Sequence, residues 1–249
     1  MQEHHHFGYL IKKIGELGSG GFGYVDKVEL YNSDGIKCPG EYARKTFSPS
    51  KEKSESILDL GQVKERFNEE VRCQASCVSS NVVSIYMHNL HIEKPWFIME
   101  LANTDLSHLI ASNDFNLTQK ISALKMIISG IDYLHNNNLL HRDIKPPNIL
   151  MFNNNIFKLS DFGLVKDLNR ENPLTAIANV SMGTDGYKAP EVSAGVYDRR
   201  TDIYALGIVI EKFVGSPLNA IISKCTMHNP NERYQSTREI LDDINAIIP

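Results

Sequence analysis

Alternating apolar and polar positions dominate the first hundred residues, and a helical period takes over in the rest. Residues 9–17 and 24–31 read as strands flanking a glycine cluster. A strand resumes at 41–47 after the turn Asn32-Ser33-Asp34-Gly35. Residues 82–87 and 96–101 read as two more strands, and 63–78 as a helix. The polar stretch 48–62, with Lys51, Glu52, Lys53 and Glu55, reads as a solvated loop or a frayed helix start. Beyond residue 104, the segment 117–135 puts Ile121, Leu124, Ile127, Ile128, Ile131 and Leu134 at helical spacing. Residues 201–214 are apolar nearly all round, which predicts a buried helix with Asp202 or Thr201 as its cap. Helices at 218–227 and 236–248 follow. Strands first and helices afterwards predict an α+β chain: a small strand-rich lobe at 9–101, a hinge at 100–104 and a larger helical lobe at 105–249.

Composition narrows the function classes. Of 249 residues, 26 are basic and 30 acidic, a net charge of -4, which argues against general nucleic-acid or anionic-membrane binding. No apolar run reaches the ~20 residues of a membrane-spanning helix. Met1-Gln2-Glu3-His4-His5-His6 is too polar for a signal peptide and reads as a solvated tail. Cys38, Cys73, Cys77 and Cys225 form no C-x-x-C pair and read as reduced thiols of a cytoplasmic protein.

The chemistry concentrates in His141-Arg142-Asp143-Ile144-Lys145-Pro146-Pro147-Asn148, which fits H-R-D-x-K-x-x-N. Asp143 can orient a hydroxyl and accept its proton, and Lys145 can neutralise a transferring phosphoryl group. Asn148, and Asp161 in Asp161-Phe162-Gly163, are oxygen donors suited to magnesium. Gly18-Ser19-Gly20-Gly21-Phe22-Gly23-Tyr24-Val25 fits G-x-G-x-x-G-x-V, where glycines let backbone amides approach phosphates. It lies between two strands, unlike a dinucleotide-binding turn, although a plain glycine-rich hairpin would share that setting. Tyr42-Ala43-Arg44-Lys45 follows on the next strand.

Together these motifs resemble a eukaryotic-type serine/threonine protein kinase over residues 10–245. The resemblance implies a single bilobal kinase domain over 1–249 that binds ATP and Mg2+. It makes Asp143 the base and Lys145 its partner, and gives Asn148 and Asp161 the metal. Lys45 would hold the α- and β-phosphates, paired with Glu70 or Glu69. The nucleotide would lie against Leu17, Gly18, Ser19, Gly20, Gly21, Phe22, Gly23, Val25, Ala43, Met99 as gatekeeper, Glu100, Ala102 and Leu150. Gly183-Thr184-Asp185-Gly186-Tyr187-Lys188-Ala189-Pro190-Glu191 resembles G-T-x-x-Y-x-A-P-E, with Thr184 on Asp143 and Lys145 and Glu191 on Arg233. Asp202 would anchor the catalytic-loop backbone. The partner implied is a protein carrying a Ser or Thr acceptor, with self-association as a route to autophosphorylation.

The chain departs from the family in places. Asp202 and Arg233 are only thirty-one positions apart, which predicts a shortened region after the central buried helix. Gln74 stands where the family usually has an apolar residue. Arg142 before the base suggests control by activation-loop phosphorylation, with Ser181 and Thr175 as candidates. Two other readings compete: a nucleotide-binding pseudokinase scaffold, which would usually lack Lys45, Asp143 or Asp161, and a small-molecule kinase, which would lack the 183–191 segment.

Overall fold

The computed structural model describes residues 3–20, 23–49, 60–169 and 183–247. The chain forms two compact units, one of Met1–Ser76 and Val83–Leu101, the other of Cys77–Val82 and Ala102–Pro249.

The first unit is built on β1 (Glu3–His6), β2 (Tyr9–Gly20), β3 (Gly23–Tyr31), β4 (Tyr42–Phe47), β5 (Ile85–Asn89) and β6 (Trp96–Glu100), with one helix, α1 (Leu60–Ala75). The strands form one antiparallel sheet in the order β1-β2-β3-β4-β6-β5. Strand β6 explains why a sheet forms with two useful faces. Trp96 and Ile98 point into a core with Ile11, Val28 and Leu30, while Phe97 points the other way. There it meets Phe47 and α1 through Val63, Phe67 and Val71. Each such fully buried side chain contributes about 1.5–3 kcal/mol relative to exposure.

The sheet curls until its edge strands meet. His6 of β1 places Nε2 3.2 Å from the His88 carbonyl and Nδ1 3.4 Å from the Asn89 side-chain amide. Its ring stands edge-on to Trp96 at 4.8 Å. The expectation of a solvated tail is therefore corrected for Glu3–His6, which pairs along β2 and closes the curl. Strand β5 begins at Ile85 rather than at residue 82, because Val82 instead makes a parallel bridge to Leu159 in the second unit. Inside the curl, Asp26 is 1% exposed and receives Arg44 at 3.0 Å and Lys13 at 2.8 Å. A buried carboxylate needs such partners.

The second unit is mainly helical: α2 (Leu106–Ser112), α3 (Leu117–Asn136), α4 (Arg199–Phe213), α5 (Asn219–Cys225) and α6 (Thr237–Ile247). Short strands β7 (Thr104–Asp105), β9 (Ile149–Phe152) and β10 (Ile156–Leu159) make one small sheet, and β8 (Leu139–Leu140) pairs with β11 (Lys166–Asp167). Asn116 and Gln119 form a reciprocal capping box that starts α3, and the six periodic apolar residues of this helix are buried. Helix α4 starts two residues earlier than its apolar run. Its cap is Asp198, whose side chain accepts from the Arg200 amide while Thr201 Oγ1 accepts from the Asp198 amide. This corrects the expectation of an Asp202 or Thr201 cap: Thr201 completes the capping box, and Asp202 is engaged elsewhere.

The shortened region is visible as a direct joint between α4 and α5. Gly215, with φ 80°, turns the chain into the single turn Ser216–Leu218, and α5 starts at the next residue. The two helices approach closely. A Cβ on Gly207 would stand 2.6 Å from Cys225 Cβ and 2.8 Å from Thr226 Cγ2. Among the described residues, no helix of the chain is long and apolar enough to cross a membrane.

Candidate functional site

In the first unit the glycine-rich segment is the β2–β3 hairpin. Gly18 faces Val25, Ser19 faces Tyr24 and Gly20 faces Gly23, while Gly21 and Phe22 lie outside the described residues. Gly23 has a steric reason to be glycine, since a Cβ there would meet the Thr46 carbonyl oxygen at 2.1 Å. Leu17 falls in a register shift of β2 and is exposed. On β4, Lys45 lies opposite Val25 on one side and Phe97 on the other, and buried Ala43 lies opposite Met99.

Lys45 Nζ donates to Glu70 Oε1 at 2.6 Å, and Glu70 is only 4% exposed. Of the two acidic neighbours left open by the sequence, the helix turns Glu70 toward β4, while Glu69 faces Arg72 and Cys73. One turn further along α1, buried Gln74 donates to the Val83 carbonyl at 2.9 Å. The polar residue at this family-apolar position thus ties α1 to the segment leading into β5. Glu100 spends its carboxylate on the Ser84 amide at 2.7 Å and its own amide on the Ser84 carbonyl at 3.3 Å.

In the second unit the catalytic-loop side chains converge. Asp143 Oδ1 accepts from Thr184 Oγ1 at 2.8 Å, and Oδ2 accepts from Lys145 at 2.7 Å and from Asn148 Nδ2 at 3.0 Å. Lys145 also donates to Thr184 Oγ1 at 2.7 Å. A carboxylate offers about four lone-pair sites, so among the described residues three are filled and one on Oδ1 is left for an incoming donor. Asn148 uses its amide nitrogen on Asp143, which leaves its carbonyl oxygen for a hard cation. The Asn148 main-chain carbonyl accepts from both the amide and the hydroxyl of Ser160, so this donor is tied to the residue before Asp161.

The loop is held from behind by Asp202, which is 1% exposed. Its Oδ2 accepts from the His141 amide and from His135 Nε2, both at 2.9 Å, and its Oδ1 from the Arg142 amide at 2.8 Å. Burial alone would raise the carboxyl pKa, but the His135 ring and the Arg142 amide outweigh it and hold it below the ordinary 3.8. His141 Nε2 donates to the Ser160 carbonyl at 3.0 Å, and its ring packs on Phe162 at 5.4 Å. Arg142 and Asp161 have φ of 66° and 59°, a left-handed conformation that costs free energy in non-glycine residues and persists only when the surroundings enforce it.

The remaining expected residues fall as follows. Arg233 forms a two-pronged pair with Glu191, Nη1 at 2.7 Å and Nη2 at 2.8 Å. Leu150 lies on β9 opposite Lys158, half-buried, and Ala102 is half-buried at the start of the second unit. Arg142 lays its guanidinium over the Tyr197 ring at 3.9 Å. Thr175 and Ser181 lie outside the described residues. The sequence reading missed His135 and Tyr197 as partners of this loop. It also missed the Asp26–Arg44–Lys13 cluster, although Asp26 is in phase with the core residues Val28 and Leu30.

Comparison with known proteins agrees with this geometry. Residues 11–239 match the protein kinase domain family. A probable serine/threonine-protein kinase of Clostridium acetobutylicum is 29% identical over 220 residues, 73% of this chain and 33% of that protein. An Aurora kinase of Eremothecium gossypii is 33% identical over 205 residues, 81% of this chain and 52% of that protein. The serine/threonine-protein kinase pakG of Dictyostelium discoideum is 34% identical over 194 residues, 75% of this chain and 16% of that protein. The chain thus spans about half or less of the length of these relatives. Family match, motif order and the convergence on Asp143 agree: the chain belongs to the protein kinase domain family.

Proposed function

We propose that the chain is an active serine/threonine protein kinase that moves the γ-phosphoryl group of ATP to Ser or Thr hydroxyls of proteins. The observation that carries this reading is the cluster Asp143, Lys145, Thr184 and Asn148. Its one open acceptor position on Asp143 suits a substrate hydroxyl, and Asp143 takes the proton as the hydroxyl oxygen attacks. Lys145, shared between Asp143 and Thr184, holds the carboxylate in place and supplies positive charge where the phosphoryl group transfers. Thr184 fixes the segment that presents the acceptor.

On this reading the two units are the lobes of one kinase domain, with residues 100–104 as the hinge. Lys45, held by Glu70, binds the α- and β-phosphates. The hairpin glycines and Ser19 cover the phosphates. Leu17, Val25, Ala43, Met99, Glu100, Ala102 and Leu150 take the base and sugar. Asn148 and Asp161 hold Mg2+, and their oxygen donors fit it: magnesium takes few protein ligands and completes its shell with phosphate oxygens and water. The bound metal supplies charge neutralisation across the phosphates. A cytoplasmic setting is part of the reading.

The test is transfer of γ-labelled phosphate to a Ser/Thr peptide library, with Asp143→Asn as the control. Loss of the base lowers turnover by about 10²–10⁴-fold. Equal transfer by both proteins, with the variant folded, would refute the assignment.

A further inference from the structure

Beyond the loop around Asp143, the second unit carries an exposed cation that meets no carboxylate among the described residues. Lys212, in the last turn of α4, is exposed. Its Nζ donates to the Tyr187 hydroxyl at 3.0 Å and lies 4.3 Å from the centre of that ring. Tyr187 is not a remote anchor. Its amide donates to the Thr184 carbonyl at 3.1 Å across a turn through Gly186, and Thr184 donates to Asp143. Tyr187 also lines an open hollow together with Arg142, Asp143, Thr184, Lys188 and Val192. Lys212, Tyr187, Thr184 and Asp143 therefore form one connected line from the surface to the base.

The charges around this line are unevenly committed. Asp143 holds Lys145, Thr184 and Asn148, and Asp202 holds the His135 ring and two backbone amides. Glu191 is taken by Arg233, Asp198 by Arg200, and Asp185 reaches out to Lys188. Glu211 is next to Lys212 in sequence, so on a helix the two do not face each other. Lys212 itself meets only the Tyr187 ring and hydroxyl among the described residues. An exposed ammonium on an aromatic face contributes only about 0.5–1 kcal/mol, too little to account for the residue as a stabilising device. A cation held on an uncharged aromatic ring in the 183–191 segment is available to an incoming anion.

We propose that Lys212 is a specificity-determining residue that selects protein substrates carrying an acidic side chain, Asp or Glu, at a fixed short offset from the accepting Ser or Thr. The inference rests on the kinase reading above and adds the substrate class. Tyr187 holds Lys212 at a set position, which restricts the preference to one flanking position rather than to acidic peptides in general.

The experiment is a positional-scanning Ser/Thr peptide library phosphorylated by the full chain and by Lys212→Ala, Lys212→Glu and Lys212→Arg. In the parent, one flanking position favours Asp or Glu over Ala. The preference at that position is about five- to tenfold in kcat/KM at low salt and shrinks as salt is added, as for exposed charges. Lys212→Ala flattens it, Lys212→Glu inverts it and Lys212→Arg keeps it. Transfer to a peptide neutral at that position stays unchanged in all four, and matched melting temperatures show that the variants fold. Transfer without an acidic preference, or a preference that survives Lys212→Ala, overturns the proposal and leaves the kinase reading standing. Absence of transfer to every peptide overturns both.

Discussion

The Glu191–Arg233 pair is the most quantifiable interaction in the second unit. The Arg233 side chain is fully buried, and that of Glu191 is 14% exposed. Besides the two bonds to Glu191, Arg233 donates to the carbonyls of Met227 at 2.7 Å, Arg200 at 3.0 Å and His228 at 3.1 Å. Substituting Glu191→Gln keeps the shape but leaves a buried guanidinium without its counter-charge. Breaking a buried pair from one side costs about 3–5 kcal/mol. The three carbonyls still partly solvate the cation, which puts this variant near the lower end. At ~2–4 °C per kcal/mol for a chain of this size, the melting temperature falls by about 6–12 °C. Arg233→Met is worse, because the carbonyls of Met227, Arg200 and His228 lose their donor in addition to the lost pair. The assay is thermal and urea unfolding followed by far-UV circular dichroism, since most helices lie in the second unit. The fluorescence of Trp96, the chain's one tryptophan, reports the first unit in parallel. A Glu191→Gln loss below about 1 kcal/mol, the range of exposed pairs, would refute the reasoning, as would an Arg233→Met variant more stable than Glu191→Gln.

Two further outcomes are expected. The Asp202 carboxyl is held below its ordinary 3.8 in the folded chain, so its stabilisation is present above that pH and is lost as pH falls through the lower folded value. Urea titrations should therefore show Asp202→Asn much less stable at pH 7, with the gap to the parent narrowing below pH 3.8; a gap independent of pH would contradict this. Gly207→Ala pushes a methyl group to within 2.6 Å of Cys225 Cβ, so α4 and α5 must separate, at about 1–3 kcal/mol of overpacking. An unchanged urea midpoint for Gly207→Ala would mean that the joint is looser than this contact implies.

The elements that were legible in the sequence share one property: their cause is local. Helix α3 announces itself through six apolar residues at helical spacing, and the hairpin around the glycines through residues that tolerate close backbone approach. The misplaced features all depend on partners distant in the chain. Strand β1 is three histidines and a glutamate, with no strand alternation to read; it forms because β2 and β5 offer it a place. The start of α4 was read too late because Asp202 looks like a cap, whereas its carboxylate is drawn to backbone amides some sixty positions earlier. Asp26 is buried against Arg44, its partner across the sheet and eighteen positions away, so nothing local marks the pair. Among the site residues, the fixed spacing from Asp143 to Asn148 could be read directly. The choice of Glu70 over Glu69 needed the facing of α1, since adjacent helical residues point about 100° apart.

The precision of the catalytic loop is stored behind it rather than in it. Asp143, Lys145 and Asn148 are exchangeable in principle with any carboxylate, ammonium and amide at that spacing. What makes them converge is that the backbone just before Asp143 cannot move. Two consecutive amides, those of His141 and Arg142, are fixed on one buried carboxylate of α4, which is itself fixed by His135 of α3. The left-handed conformation of Arg142 is held in place by those bonds, and it turns the next residue, Asp143, toward Thr184. On the far side, His141 grips the Ser160 carbonyl and Asn148 receives the Ser160 amide, so the two metal-ligand candidates are positioned from the same two helices. This arrangement explains how the chain can join α4 directly to α5 and still bring Asp143, Lys145, Thr184 and Asn148 together. The shortened region lies beyond the C-terminal end of α4, while the Asp202 support lies in the helix's first turn.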